Sequence, residues 1–355
     1  MIREIGSEFW LDNIPKESQN EVPNWLSIYG DTILASSGRG AISLLLQQVT
    51  PRYKSVLLPA YICDSVILPF IEQGYSCYFY KINNDLSPNI ESIKSYENIG
   101  LFLHMGYYGF STNSNLLSVL QDFKEQSVII IEDITHTLFS SVNRFEENDF
   151  YVGSIRKWFG LPGGGFISSS KRILKRTALY TNDGFSKLRI AALAAKGKYV
   201  KTRDENLKDL FLNQFSRAES LLDRDVAPYC IDGLSMDLIN FIDSDELVSK
   251  RRMNFKTLSE GLKSVSYLDP FFNDLTKNAC PLFYPVMIKN NRDDIKKKLA
   301  EEKIYCPVHW PVSDQIKDRH LESTLGIYNS ILSIPCDQRY GIIDMERIIS
   351  VLKCL

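Results

Sequence analysis

The sequence predicts an α/β protein: a large domain built on a doubly wound, mostly parallel sheet, followed by a smaller α+β domain. Three observations predict it. Short apolar runs with little apolar–polar alternation recur between helix-like stretches, the pattern of strands buried on both faces. At 355 residues the chain is longer than one compact core usually supports. A helical region rich in Leu and Phe ends at 222, and Pro228 after it marks a boundary, beyond which helices and strands recur in a shorter unit. The expected organisation is an arm over residues 1–30, a large domain over 31–227 and a small C-terminal domain over 228–355.

Residues 1–30 carry Phe9, Trp10, Trp25 and Tyr29 among polar residues without periodicity, as an arm lying on another surface would. Ser36-Ser37-Gly38-Arg39-Gly40-Ala41 then runs into Ile42, Leu44, Leu45 and Leu46. This predicts a helix whose serine-capped start leaves backbone N–H groups free, a seat for a phosphate and equally an ordinary cap. Residues 55–58 read as a strand ending at Pro59, 65–71 as helix, 77–80 and 101–104 as strands, 115–123 as helix and 128–131 as a strand. Farther on, 205–222 and 244–262 read as helices, 282–288 and 304–308 as strands, and 345–352 as a closing helix. Between them, residues 171–203 hold ten Lys or Arg and one acidic residue, Asp183. Such a stretch is either a solvated face or, through Lys187, Arg189, Lys196 and Lys198 together with Arg251 and Arg252, a seat for a diphosphate.

Composition excludes several classes. Hydrophobic content of 44% with 24% charged residues fits a folded globular chain rather than a disordered one, and a net charge of -2 offers nothing to nucleic acid. No apolar run reaches the length of a membrane span, and Met-Ile-Arg-Glu-Ile-Gly lacks the order of a signal peptide, so the cytoplasm is the expected location. The seven cysteines are odd in number, scattered and without a CxxC pair, which argues against a disulfide framework and a zinc cluster.

Ligands of doubly wound sheets lie beyond the carboxyl ends of the strands, so the residues just past each apolar run are the candidates for chemistry. After Val128-Ile129-Ile130-Ile131 come Glu132, Asp133, Ile134, Thr135 and His136. A carboxylate at the end of a buried strand needs a cationic or strong hydrogen-bonding partner, and a protonated pyridine nitrogen would serve; Asp133 capping the next turn is the plainer alternative. Twenty-four residues later, Ser-Ile-Arg-Lys-Trp-Phe-Gly-Leu-Pro-Gly-Gly-Gly sets Lys157 between apolar neighbours and three glycines. A lysine among apolar groups loses ammonium hydration, which favours the neutral amine that attacks carbonyls, the basis of Schiff-base chemistry; a surface lysine on a loop beside a plain glycine turn is the alternative. Gly163, Gly164 and Gly165 permit a close approach to a bulky planar group.

These motifs occur in one order with Leu-Pro-Ala-Tyr-Ile-Cys at 58–63, Tyr108-Gly109 and Val308-His309-Trp310-Pro311. Together, over about residues 30–355, they resemble the DegT/DnrJ/EryC1/StrS aminotransferases, pyridoxal-phosphate enzymes of fold type I that mostly act on nucleotide-linked keto-sugars. The resemblance implies that Lys157 carries the cofactor and that Asp133 pairs with its pyridine nitrogen. His136 would lie beside the ring, and the amides of Gly38, Arg39 and Gly40, with the Ser154 hydroxyl, would hold the phosphate. His309, Trp310 and Tyr108 are the implied substrate contacts. Two departures stand out: Cys63 occupies the place of the ring-stacking aromatic, with Tyr61 directed elsewhere, and Cys230-Ile231-Asp232-Gly233-Leu234-Ser235-Met236 lacks the arginine with which many relatives reach the partner subunit's site. Arg39 and Arg156 are the candidates to compensate. The implied activity is transfer of an amino group from an amino-acid donor, glutamate, to a keto-sugar, nucleotide-linked, by a homodimer in amino-sugar biosynthesis. Another fold type I reaction, such as aldol cleavage or elimination, and a non-catalytic sensory or binding protein are the alternatives.

Overall fold

The computed structural model describes residues 3–11, 21–317, 319 and 321–355; residues 1–2 and 12–20 of the expected arm lie outside these. After a two-residue strand, β1 (Ile5–Gly6), the large sheet is built from β2 (Asp31–Ala35), β3 (Ser55–Pro59), β4 (Ser76–Tyr80), β5 (Leu101–Met105), β6 (Ile129–Asp133), β7 (Phe150–Ser154) and β8 (Gly165–Ser169). Their order across the sheet is β2-β8-β7-β6-β5-β3-β4. Strands β3 to β7 are parallel, and β8 runs antiparallel to both β7 and β2.

Successive residues of each strand enter different cores. Val56, Leu58, Leu101 and Leu103 pack with Ala41, Ile42 and Leu45 of the helix Gly38–Leu46, whereas Leu57, Phe102 and Ile130 pack with Leu120 and Phe123 of the helix Leu117–Glu125. Helices therefore cover both faces, which removes the alternation from the strand sequences. Each Leu or Ile so buried contributes roughly 1.5–3 kcal/mol, so register is strongly specified throughout the sheet.

The expected elements are present with shifted ends. The helix expected over 115–123 opens as a 3-10 turn, Ser114–Leu116, before Leu117–Glu125. The basic stretch contains a twenty-residue helix, Asp183–Thr202, which packs as a hairpin against Glu205–Arg224. Arg203, at φ 61°, and Asp204, whose side chain caps Asn206, make the reversal between them. Its basic residues divide. Arg189 and Lys196 are buried with Phe185, Leu193 and Tyr199, whereas Lys187 is exposed and pairs with Asp183. The stretch is thus neither a solvated face nor one basic surface.

The remainder of the chain adds β9 (Leu268–Pro270), β10 (Tyr284–Ile288), β11 (Ile304–Tyr305) and β12 (Ile331–Ile334). An antiparallel sheet runs β12-β10-β9, while β11 pairs in parallel with β1. The strand expected over 304–308 is cut to two residues, since Pro307 has no N–H to extend a ladder. The helices Ser244–Gly261 and Ile342–Cys354 cross where a Cβ on Gly261 would stand 2.3 Å from Ile349, so the glycine sets their approach.

The aromatics of the N-terminal stretch cover this chain itself. The Arg339 guanidinium lies 4.0 Å from the Phe9 ring and 5.0 Å from Trp10. Trp25 packs on Phe139 and Tyr29 on Tyr151. Among the described residues no helix is long and apolar enough to cross a membrane.

Candidate active site

The carboxyl ends of four parallel strands meet one helix start. Ile62 and Cys63 follow β3, Met105 ends β5, Asp133 ends β6, and Val152-Gly153-Ser154 end β7; with Ser37 and Gly38 they line a cavity of about 210 Å³. This is the position at which doubly wound sheets bind ligands. A wider cavity of about 690 Å³ shares Arg156, Lys157 and Glu219 with it, so Lys157 stands at the junction.

Ser37 is the N-cap of the helix Gly38–Leu46, its Oγ accepting the Gly40 N–H at 3.1 Å. Beside it, a Cβ on Gly38 would come within 3.2 Å of Ser154. The helix start and the Ser154 end of β7 thus form one small-walled pocket where N–H groups and the helix dipole favour an anion. The three glycines have a different role from the expected one: a Cβ on Gly165 would lie 2.1 Å from the Ser37 carbonyl oxygen, and one on Gly163 2.8 Å from that of Ser36. Gly163 and Gly165 thus meet backbone and bring β8 against the capped helix, while Gly164 takes a φ of +130°.

Lys157 ends a 3-10 turn, Ile155–Lys157, that follows β7 directly. Trp158, fully buried, donates its Nε1–H to the Thr135 carbonyl at 2.7 Å, tying the lysine turn to the loop after Asp133. Gln338 donates to the Trp158 carbonyl at 2.7 Å, and Arg251, its guanidinium 4.5 Å from the indole, donates to Gln338. Arg251, expected as a phosphate contact, is therefore an internal brace; Arg252 likewise donates to the carbonyls of Thr276 and Ala279.

Asp133 is buried and accepts the Thr135 N–H at 2.8 Å. Burial pushes its carboxyl pKa up, against the lowering effects of the Thr135 hydrogen bonds and the Lys157 charge. His136 accepts the Tyr108 N–H at Nδ1, 3.3 Å away, while its buried Nε2 has no partner among the described residues. Burial first, then the charges of Lys157 and His309, hold its pKa well below the ordinary value. The ring is neutral, and with Nδ1 accepting, its proton sits on Nε2. Trp310 stacks on His136 at 5.3 Å and 28°, with the Lys157 ammonium 5.8 Å from the indole.

Of the residues singled out in the sequence, Gly38, Arg39, Cys63, Asp133, His136, Ser154, Lys157 and Trp310 line the inner cavity. Gly40 does not, and its N–H is used by the Ser37 cap. Tyr108 is fully buried behind His136, its hydroxyl paired with Tyr61 at 2.8 Å. His309 lines the outer cavity, held at Nδ1 by Ser333 at 2.8 Å. Arg39 turns its guanidinium to the Leu222 carbonyl and Asp223, at 2.6 and 2.9 Å, so its charge is committed there.

Sequence reasoning missed Thr135 and Glu219 and did not separate Ser37 from Ser36. Glu219, on the helix Glu205–Arg224, grips Arg156 with two hydrogen bonds of 2.6 and 3.1 Å. Burial alone would raise its pKa, but Arg156 and then Arg189 bring it down to about 2.

The cavity fits pyridoxal phosphate. A buried carboxylate raised by desolvation, with no ion pair among the described residues, suits a cationic ring nitrogen. The capped helix start suits a phosphate, and Trp310 and the His136 ring offer flat apolar and polar contacts beside a lysine.

The sequence matches no family model and no curated protein. Its fold, however, is that of known aminotransferases. PseC of Helicobacter pylori, an aminotransferase involved in the biosynthesis of pseudoaminic acid, superposes with a TM-score of 0.70 at 14% identity, covering 99% of both chains. The aminotransferase TlmJ of Streptoalloteichus hindustanus gives 0.68 at 15% identity over 93% of this chain and 88% of its own. Spr1654 of Streptococcus pneumoniae in its PLP form gives 0.68 at 15% identity over 97% and 92%.

Proposed function

We propose that the protein is a pyridoxal-phosphate-dependent aminotransferase that moves an amino group from an amino acid, glutamate, to a keto-sugar in amino-sugar biosynthesis. The observation that carries this reading is the convergence of Lys157, Asp133, His136, Ser154 and the Ser37-capped helix start on one cavity. The shared fold with PseC and TlmJ supports it, and the PLP form of Spr1654 supports the cofactor. When bound, pyridoxal phosphate supplies an electron sink for a carbanion at the donor's α-carbon.

In this reading the Lys157 amine holds the cofactor aldehyde, and Asp133 holds the ring nitrogen in its protonated form. The Gly38 amide, with the hydroxyls of Ser37 and Ser154, holds the phosphate, and Trp310 and His136 flank the ring. Substrates reach Lys157 from the outer cavity, and the Lys157 Nζ, as a free amine, takes the proton from the donor's α-carbon. The Trp158 bond to Thr135 keeps Lys157 and Asp133 at a fixed separation. His136, neutral with its proton on Nε2, offers a donor without adding charge beside the lysine.

A nucleotide-linked acceptor is part of the proposal, supported by the excess of basic over acidic side chains lining the outer cavity, seven to four. So are the division at residues 227/228, a cytoplasmic location, supported by seven free cysteines, and a homodimer, supported by the exposed Ile173 and Tyr180. The decisive test is borohydride reduction of the yellow, cofactor-loaded protein and then peptide mapping. The label should lie on Lys157, and a label on another lysine, or none, would overturn the assignment.

A further inference from the structure

Two arginines share one carboxylate at the junction of the cavities. Arg156 holds Glu219 bidentately, and Arg189 reaches the same Glu219 oxygen, Oε1, only at 3.4 Å. The second acidic contact of Arg189, with Glu8, is longer still at 3.5 Å. Charge-assisted hydrogen bonds normally close to about 2.7–2.9 Å. The Arg189 side chain is 3% exposed, and its Nε is buried without a partner among the described residues. The Phe215 ring, 4.7 Å from the guanidinium, supplies a cation–π contact but no hydrogen-bond acceptor, so a buried guanidinium with such long ion pairs, on the wall of a cavity, is stabilised by a further anion.

The chemistry of that anion depends on what else the cavities offer. An amino acid whose nitrogen reaches Lys157 brings its carboxylates within a few ångströms of it. Of the basic side chains lining the inner cavity, Lys157 is reserved for the cofactor and Arg39 is tied to the Leu222 carbonyl as well as to Asp223, which leaves Arg156, whose hydrogen bonds go to Glu219. Arg189 lies one carboxylate farther out, beyond Glu219, in the outer cavity. Glu219 stands on the helix Glu205–Arg224 with its side chain 38% exposed, so its carboxylate can swing to solvent and is a displaceable occupant of the guanidinium forks. Burial, and next the Arg156 charge, lower the Arg189 pKa, consistent with incomplete neutralisation by Glu8 and Glu219.

We infer that Arg156 and Arg189, with Glu219 as an internal counter-ion that yields to substrate, form the carboxylate receptor that selects a dicarboxylic amino donor. This rests on the aminotransferase reading for the identity of the donor, but the receptor itself is a property of the three side chains.

The test is calorimetric titration of the full-length protein, with and without pyridoxal phosphate, using glutarate, an unreactive dicarboxylate, beside butyrate and uridine diphosphate. Glutarate should bind more tightly than butyrate. R189Q should weaken glutarate roughly 10- to 100-fold, the span expected for a lost charged hydrogen bond. E219Q should act in the opposite sense and tighten glutarate, because it frees both guanidiniums. A merely structural role of the cluster would make both variants weaker, so E219Q decides the matter even where R189Q fails to fold. No tightening in E219Q, or loss of uridine diphosphate rather than glutarate binding in R189Q, would overturn the receptor. Failure to load the cofactor onto Lys157, with glutarate binding still tracking these variants, would sink the aminotransferase reading and leave the receptor standing.

Discussion

Replacing Asp133 by Asn should weaken the cofactor-loaded protein without destabilising the unloaded one. In the unloaded protein the carboxylate is buried at the end of β6, and its main hydrogen-bond donor, the Thr135 N–H at 2.8 Å, can also bond to an amide oxygen, though less strongly than to a carboxylate. Because the folded pKa is raised above 3.8, stability from this group is fully present below pH 3.8 and is lost as pH rises through the folded value. At neutral pH the charge is a cost, and Asp133→Asn should leave the unloaded Tm unchanged or raise it. In the loaded protein the variant loses a charged hydrogen bond to the ring nitrogen, worth about 1.5–3 kcal/mol. The cofactor's affinity should fall roughly 10- to 100-fold, while reduction with borohydride still labels Lys157. Turnover of glutamate should fall further, since an amide does not keep the ring nitrogen protonated. Thermal melts with and without pyridoxal phosphate, together with single-turnover absorbance, measure each part. Equal destabilisation of both forms, or parental turnover, would show that Asp133 is a structural cap and not the ring partner.

Three further outcomes are expected. Glu219, held at about 2 from an ordinary 4.5, contributes stability that is present above pH 4.5 and lost as pH falls toward 2. The Tm gap between parent and E219Q should therefore close over that window, by a small amount because the side chain is partly exposed and screened; a gap independent of pH would contradict the pairing. Sedimentation at working concentration should give a dimer, and a fully active monomer would remove that part of the proposal. After glutamate has converted the cofactor to its amine form, a nucleotide-linked 4-keto sugar should restore the starting spectrum, less readily as salt rises. Restoration by free sugars or small keto acids alone would rule out the nucleotide.

The large sheet was legible because its strands are buried on both faces. Val56-Leu57-Leu58 and Leu101-Phe102-Leu103 send alternate residues into two cores, so the runs are continuous and short, and their alternation with helical stretches marks them as strands between two helical layers. The helix Asp183–Thr202 was hidden for the converse reason. Its inward face includes Arg189 and Lys196 beside Leu193 and Tyr199, so buried charge breaks the apolar stripe. Lys196 is bonded to Ser7 and to the Glu8 carbonyl, and burial, and next the Arg339 charge, lower its pKa to about 7. No sequence window contains those partners, because they lie almost two hundred residues away.

The same distinction separates the parts of the site that sequence reasoning found from those it missed. Asp133 and Lys157 announce themselves locally, one as an acid ending an apolar run, the other as a base before three glycines. The outer cavity is assembled from separated segments: Glu8 from the N-terminal stretch, Arg189 and Glu219 from the two helices of the hairpin, and His309 after β11. Each is unremarkable where it stands in the chain. Their meaning comes from the arithmetic of charges at one point, where Arg156 and Arg189 face a Glu219 that satisfies the first and underserves the second. Chemistry common to many reactions is thus written in short motifs at strand ends, where backbone geometry alone dictates the residue type. In the proposed receptor, selection of the donor is written across the chain, in the helix that the fold brings against the lysine turn. A single exchange on that helix, such as Glu219→Gln, should then tighten the binding of a dicarboxylate while leaving the Lys157, Asp133 and Ser154 geometry unchanged.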